Sequence, residues 1–287
     1  MERTDINILK KAIAPRPDDA HKGTMGTLLS VCGCYGMAGA GILSGTAALR
    51  SGLGLLKCAL PKSIYPIAAA KLLESVYLPL EETPDGKISA LNLPYLLEQK
   101  SDAVLLGCGL SVCDDTKAVT EGFVRSCKKP MVLDADALNC IADNPDVLRD
   151  AKAPIIITPH PMEMARLCGS TASAVNENRE KSAREFAARF GVITVLKGAG
   201  TIIASPDGKA RINMTGNSGM ATGGSGDVLA GICAALLAQG QEPFDCACAA
   251  VYLHGLAGDL AAKRLGKISM LPSDIINELP NAFTAIR

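Results

Sequence analysis

A chain of 287 residues, 48% of them apolar, can build the core of one large α/β domain or two small ones. Its 29 basic and 29 acidic residues cancel and are interspersed, and aromatics make up only 3% with no tryptophan; a nucleic-acid groove, an acidic membrane surface and a base-stacking platform are all disfavoured as partners. The 11 cysteines are odd in number, lie in apolar segments and show no C-x-x-C spacing, so reduced thiols in a cytoplasm are expected, with no zinc site and no membrane span.

Residues 1 to 22 are polar, carry Pro15 and Pro17, and read as a short helix (Ile6, Ile8, Leu9, Ile13) and a lead-in loop, with no signal peptide. The polar run His21-Lys22-Gly23-Thr24 suits a solvated turn or a phosphate contact. Thr27 to Cys32 is a buried strand. Small residues from Gly33 to Gly41 follow, then a helix to about Ser51, which is the opening of a βαβ unit. The G-x-G-x-x-G fingerprint is absent. The small residues serve either a ligand at the helix start or close helix–strand packing.

A second strand, 55–60, closes at Pro61. A helix near 63–73, a strand at 75–78, a turn at Pro84-Asp85-Gly86 and a helix over 89–99 come next. The strand at 102–106 ends in Gly107-Cys108-Gly109 and leads to a helix over 115–127. The next strand runs from Pro130 into Asp134-Ala135-Asp136. Asp136 reads as a helix N-cap, and Asp134 as a candidate to hold Mg²⁺ through water.

Ile155 to Ile157 is a strand that stops at Thr158-Pro159-His160-Pro161. Pro161 suits the first turn of a helix, and Glu163 lies where a carboxylate is favoured. The imidazole of His160 is held by stiff backbone at a strand's carboxyl end, ready either for a ligand or for a structural role. A helix over 175–190 and a strand over 192–196 lead to Lys197-Gly198-Ala199-Gly200-Thr201, where amides, a hydroxyl and an ammonium together suit phosphate or nucleotide. Residues 201–204 and 210–213 form an antiparallel hairpin around Ser205-Pro206-Asp207-Gly208.

Five glycines fall between Gly216 and Gly226, and an apolar helix begins at once after Asp227. Backbone without Cβ atoms approaches a ligand closely, and the helix start seats an anion. Asp227 at that start is either an N-cap or the acceptor of a proton from a substrate hydroxyl. A long helix over 243–264 holds His254, read as a packed histidine, and a short helix from Pro272 to Leu279 ends the chain. Strands and helices alternate to about residue 200, so the sheet is largely parallel with helices on both faces. No P-loop is present.

In order, Gly36-Met-Ala-Gly-Ala40, Gly107-Cys-Gly109, Asp134-Ala-Asp136, Thr158-Pro-His160-Pro-x-Glu163, Lys197-Gly-Ala-Gly-Thr201 and Gly216 to Asp227 resemble the ADP/ATP-dependent NAD(P)H-hydrate dehydratases, over residues 20 to 280. Ser218 departs from the proline usual there. The resemblance implies one ribokinase-like α/β domain over 1–287, without the epimerase domain of bifunctional relatives. It implies dehydration of the S epimers of NADH hydrate and NADPH hydrate, with ADP or ATP as co-substrate and Mg²⁺. By the same likeness Ala40, Gly109, His160 and Asp227 contact the hydrate. Lys197, Gly198, Ala199, Gly200, Thr201 and Gly226 hold the adenine nucleotide. Asp227 and Gly226 are the catalytic pair, Asp134 or Glu163 is the candidate metal carboxylate, and the protein is a cytoplasmic homo-oligomer, with a tetramer favoured. The Gly-Ser-Gly-Asp ending also admits a small-molecule kinase of the same fold (a hydroxymethylpyrimidine, thiazole alcohol or sugar as substrate), and a nucleotide-sensing module without chemistry is the third reading.

Overall fold

Successive apolar side chains of the central strands enter opposite cores. Leu28 and Leu105 go to one, while Leu29, Val31, Val104 and Leu106 go to the other. A sheet apolar on both faces must be covered on both, which favours parallel strands joined by helices. The computed structural model describes residues 1–13 and 15–286. Its strands are β1 (Glu2–Arg3), β2 (Thr27–Val31), β3 (Leu55–Pro61), β4 (Val76–Leu80), β5 (Ala103–Leu106), β6 (Met131–Leu133), β7 (Ile155–Ile157), β8 (Ile193–Leu196), β9 (Ile202–Ala204) and β10 (Ala210–Ile212). They form one sheet in the order β1-β10-β9-β8-β7-β6-β5-β2-β3-β4.

β2 to β8 run parallel, and β8, β9 and β10 are antiparallel neighbours, so the expected hairpin forms on that side of the sheet. The two-residue β1, not foreseen, pairs outside it, with Glu2 opposite Arg211 and Arg3 opposite Ile212. The helices are α1 (Ile6–Ala12), α2 (Ala38–Arg50), α3 (Tyr65–Ala69), α4 (Leu93–Leu97), α5 (Asp114–Ser126), α6 (Asp136–Cys140), α7 (Pro161–Cys168), α8 (Ala172–Glu177), α9 (Arg179–Phe190), α10 (Ser225–Ala238), α11 (Pro243–Leu265) and α12 (Pro272–Ala285). One core joins α1, α2, α3, α10, α11 and α12 to the sheet, and the other joins α4 to α9.

Four expected helices differ in extent. The helix near 63–73 is a 3₁₀ turn plus α3, closed where the Tyr77 hydroxyl donates to the carbonyls of Ala68 (2.9 Å) and Leu72 (2.7 Å). The helix near 89–99 is likewise a 3₁₀ turn followed by α4. The helix over 175–190 is two, broken at Asn178 with φ −135 and ψ 49. The terminal helix runs on through Pro280 to Ala285.

From β2 the chain moves outward to β3 and β4, then returns across β2 to β5 and proceeds the other way through β8. The loops leaving the carboxyl ends of β2 and β5 therefore diverge, and that is where open α/β sheets leave a crevice. On one face of this point α2 and α10 meet backbone to backbone. A Cβ on Gly231 would lie 2.1 Å from the Ser44 carbonyl oxygen.

Candidate active site

At this crevice small residues let the loops after β2, β5 and β6 close on one another. The Gly33 N–H donates to the Cys108 carbonyl (2.8 Å), which ties the loops after β2 and β5. Gly107 has φ +124, and a Cβ there would meet the Asp134 carbonyl oxygen at 2.0 Å. Gly109 has φ +63, and a Cβ there would lie 2.7 Å from that of Ala40. The two expected hydrate contacts, Ala40 and Gly109, are thus side by side.

An acid–base cluster stands next to them. Asp134, at the end of β6, is buried and accepts from Lys197 Nζ (2.7 Å), Thr158 Oγ1 (2.5 Å) and Cys108 Sγ (3.7 Å). Asp134, Cys108 and Asp227 each offer an atom within 4.8 Å of the others. Asp227 lies in the first turn of α10. Burial, then the Asp134 charge, push its carboxyl up to about 6, against a hydrogen bond from Cys108 that lowers it. A base poised there accepts a proton near neutral pH. Burial opposes the charge on Lys197, but the carboxylates of Asp134 and Glu163 more than offset it and hold the ammonium charged. Its Nζ lies 3.3 Å from where a Cβ on Gly226 would stand, so the cation, the helix start and the base share one small volume.

Asp136 is not the N-cap expected of it. That position is Ala135, held at φ 51 and ψ −115, an arrangement that a residue with a Cβ rarely adopts. Asp136 is the first helical residue, and its Oδ2 accepts the Ser111 N–H at 2.8 Å. Ser111 has φ 63 and Ala135 φ 51, the two non-glycine residues at positive φ among the described residues, and Asp136, next to Ala135, ties the loop after β6 to Ser111 in the loop after β5.

His160 caps α7. Its Nδ1 accepts the N–H groups of Met162 (3.1 Å) and Glu163 (3.2 Å), and Glu163 Oε2 accepts the His160 N–H (2.7 Å). This is a capping box with histidine in the serine position. With Nδ1 accepting, the neutral ring carries its proton on Nε2, which lies 3.3 Å from Glu163 Oε1. Burial, then the Lys197 charge, keep its pKa below the ordinary value. Glu163 Oε2 is also 3.8 Å from Lys197 Nζ, so this buried carboxylate touches both expected binding regions.

The Lys197–Thr201 loop turns at Gly198 (φ +146) and Gly200 (φ +66), and Thr201 Oγ1 donates to the Gly198 carbonyl (3.0 Å). The glycine-rich loop before α10 is anchored. Gly216 N–H donates to Asp259 Oδ2 (2.9 Å), and Asn217 Nδ2 donates to Asp259 Oδ1 (3.0 Å) and to the Gly258 carbonyl (3.0 Å). Ser225 Oγ lies 3.3 Å from Nε2 of His254, whose pKa burial lowers to about 4; it is the packed histidine expected. Ala221 to Gly223, between these anchors, are exposed.

Residues 28–281 match the family model described as NAD(P)H-hydrate dehydratase. The chain belongs to that family. An ADP-dependent (S)-NAD(P)H-hydrate dehydratase of Neisseria meningitidis is 39% identical over 255 residues, 88% of this chain and 82% of that protein. A bifunctional NAD(P)H-hydrate repair enzyme of Moorella thermoacetica is 43% identical over 267 residues, 92% of this chain and 50% of that protein. This chain spans about half the length of the bifunctional relatives it matches. The ADP/ATP-dependent NAD(P)H-hydrate dehydratase of Bacillus subtilis, crystallised with ATP/Mg²⁺, superposes with a TM-score of 0.86 at 29% identity, covering 100% of this chain and 99% of that one. The fold is the ribokinase-like one.

Within the family's fold, Ala40, Gly109, Asp227, Gly226, Lys197, Glu163 and Asp134 gather around one sheet edge, and His160 joins them through Glu163. Four contributors escaped the sequence reading. Thr158 orients Asp134, Cys108 touches both acids, Asp259 pins the glycine loop, and Arg179 reaches the carbonyls of Leu196 and Ala199. Thr158 and Cys108 lie within motifs named above without a role of their own, Asp259 and Arg179 lie outside them, and all four roles depend on partners distant in the chain.

Proposed function

We propose that this chain is a nucleotide-dependent dehydratase that restores NADH and NADPH from the S epimers of their hydrates, converting ADP or ATP to AMP or ADP plus phosphate. The observation that carries this is Asp227, a carboxylate held at about 6 in the first turn of α10, between the Ala40–Gly109 crevice and Lys197. In this reading the hydrate lies in the crevice against Ala40 and Gly109, with the His160 ring, held by Glu163, beside it. The nucleotide lies on the Lys197–Thr201 loop and Gly226.

Asp227 takes the proton of the hydrate's ring hydroxyl as the terminal phosphoryl group moves to that oxygen. The ring nitrogen lone pair then expels phosphate, and a proton leaves the neighbouring ring carbon to restore the double bond. The amides of Gly226 and its neighbours, at the positive end of α10, face the charge that develops. The proton transfer supplies about 10²–10⁴-fold and each such amide about 10²–10³-fold. Mg²⁺ on the phosphates would neutralise their charge. The oxygens of Glu163 already serve His160 and Lys197, whereas Asp134 Oδ2 and Asp227 face the cluster, which supports Asp134 and Asp227 as the side chains that hold the ion through water.

Eleven unpaired cysteines support a reducing compartment such as the cytoplasm. Exposed Tyr65, Ile67 and Leu73, with Val76 at the start of β4, the strand at the open sheet edge, support a homo-oligomer. The deciding experiment mixes the protein with NADH hydrate and Mg²⁺ and supplies ADP or ATP separately. Recovery of the reduced-nicotinamide absorbance with matching phosphate release is expected. A stable phosphorylated product would mark a kinase instead, and nucleotide binding without any turnover would mark a sensor.

A further inference from the structure

Arg179 occupies a position that the fold alone does not favour. It opens α9, where a cation faces the positive end of the helix dipole. It is half-buried, its Nε is fully buried without a partner, and among the described residues it makes no ion pair. A desolvated guanidinium without a carboxylate is unfavourable unless its donors are used. Those of Nη1 and Nη2 are used, both on one loop. Nη1 donates to the carbonyl of Ala199 (2.6 Å) and Nη2 to that of Leu196 (3.0 Å). The fit is close enough that a Cβ on Gly198 would lie 2.8 Å from Nη2.

In a trans peptide unit the C=O and the next N–H point opposite ways. With the Ala199 carbonyl held on Arg179, the Gly200 N–H must face the other side of the loop. The φ values of Gly198 and Gly200, +146 and +66, are those of a turned backbone. Among the described residues the Gly200 N–H has no acceptor. We propose that Arg179 is a positioning residue for the adenine nucleotide: its two-pronged grip on the Leu196 and Ala199 carbonyls fixes the 199–200 peptide plane so that the Gly200 N–H is presented to the nucleotide. The inference rests on the nucleotide reading of Lys197–Thr201. Lysine cannot substitute, because a single ammonium lacks the planar fork that spans two carbonyls.

The test compares wild type, Arg179→Lys and Arg179→Ala by calorimetric titration with ADP and with ATP, KM for each substrate, kcat and Tm. Both variants should weaken nucleotide binding about tenfold, with KM for the hydrate and kcat at saturating nucleotide within about threefold of wild type, the pattern of a lost uniform binding contact on one side only. In free Arg179→Lys the Gly200 amide resonance should move. Unchanged nucleotide affinity in both variants overturns the inference and leaves the site reading intact. Equal loss for both substrates in step with a fall in Tm also overturns it, since that is a purely structural role. A wild-type protein that binds neither nucleotide brings down the site reading, and the inference with it.

Discussion

Folding raises the Asp227 carboxyl from its ordinary 3.8 to about 6, so the folded chain binds a proton more readily there than the unfolded chain does. Stability from this group is therefore lost as pH rises from about 4 to 6, a loss of about 3 kcal/mol that persists above neutrality. Asp227→Asn removes both the base and this burden. Turnover should fall about 10²–10⁴-fold, while Tm at pH 8 rises above wild type and the difference closes near pH 4; an unaltered kcat would remove Asp227 from the chemistry. In the wild type, kcat/KM should fall as pH drops through about 6. Cys108 touches the same carboxyl, and its hydrogen bond lowers the Asp227 pKa. Cys108→Ala should accordingly move the acid limb of the kcat/KM profile toward higher pH, with little change at the alkaline plateau. A limb that stays in place would mean that the thiol only fills space.

The base and the crevice are carried by α10 and α2, which touch without side chains at Gly231 and Ser44. Gly231→Ala puts a methyl 2.1 Å from a carbonyl oxygen, so the helices must separate. Overpacking of this kind costs about 1–3 kcal/mol, and differential scanning calorimetry should show a clear drop in Tm together with reduced turnover. Elements such as these were legible in advance because parallel βα units write themselves as apolar runs ending in small residues. Gly109, His160 and Lys197 sit just beyond such runs, Ala40 lies in the small-residue stretch that follows β2, and Asp227 stands at the head of the apolar helix α10. What was hidden depends on contacts rather than on pattern. The break at Asn178 uses no glycine or proline, so a single helix is expected where α8 and α9 are separate, and the sequence does not mark Arg179 as a helix start. Pro280 sits within α12 although proline usually marks a stop. Asp136 looked like a cap because the strain at Ala135, which moves the helix start by one residue, has no signature in an alanine.

At the scale of the molecule, the sheet is open at β4, and exposed Leu73 (79%) and Ile67 (53%) lie beside it. Light scattering should give a multiple of the 29.7 kDa chain mass, and Leu73→Lys with Ile67→Lys should shift it toward the monomer. A single-chain mass for the wild type at micromolar concentration would rule that association out. At the other edge, β1 pairs with β10, and α1 packs on α11 with Leu9 fully buried. The partners of the first dozen residues are therefore Arg211, Ile212 and a helix that ends at Leu265. A ribosome adding about 5–20 residues per second needs roughly ten to fifty seconds to supply them. During that interval Ile8 and Leu9 have been made but have nowhere to go. The start of the chain is therefore sewn in late, and its docking reports that synthesis has passed the glycine loop and the base.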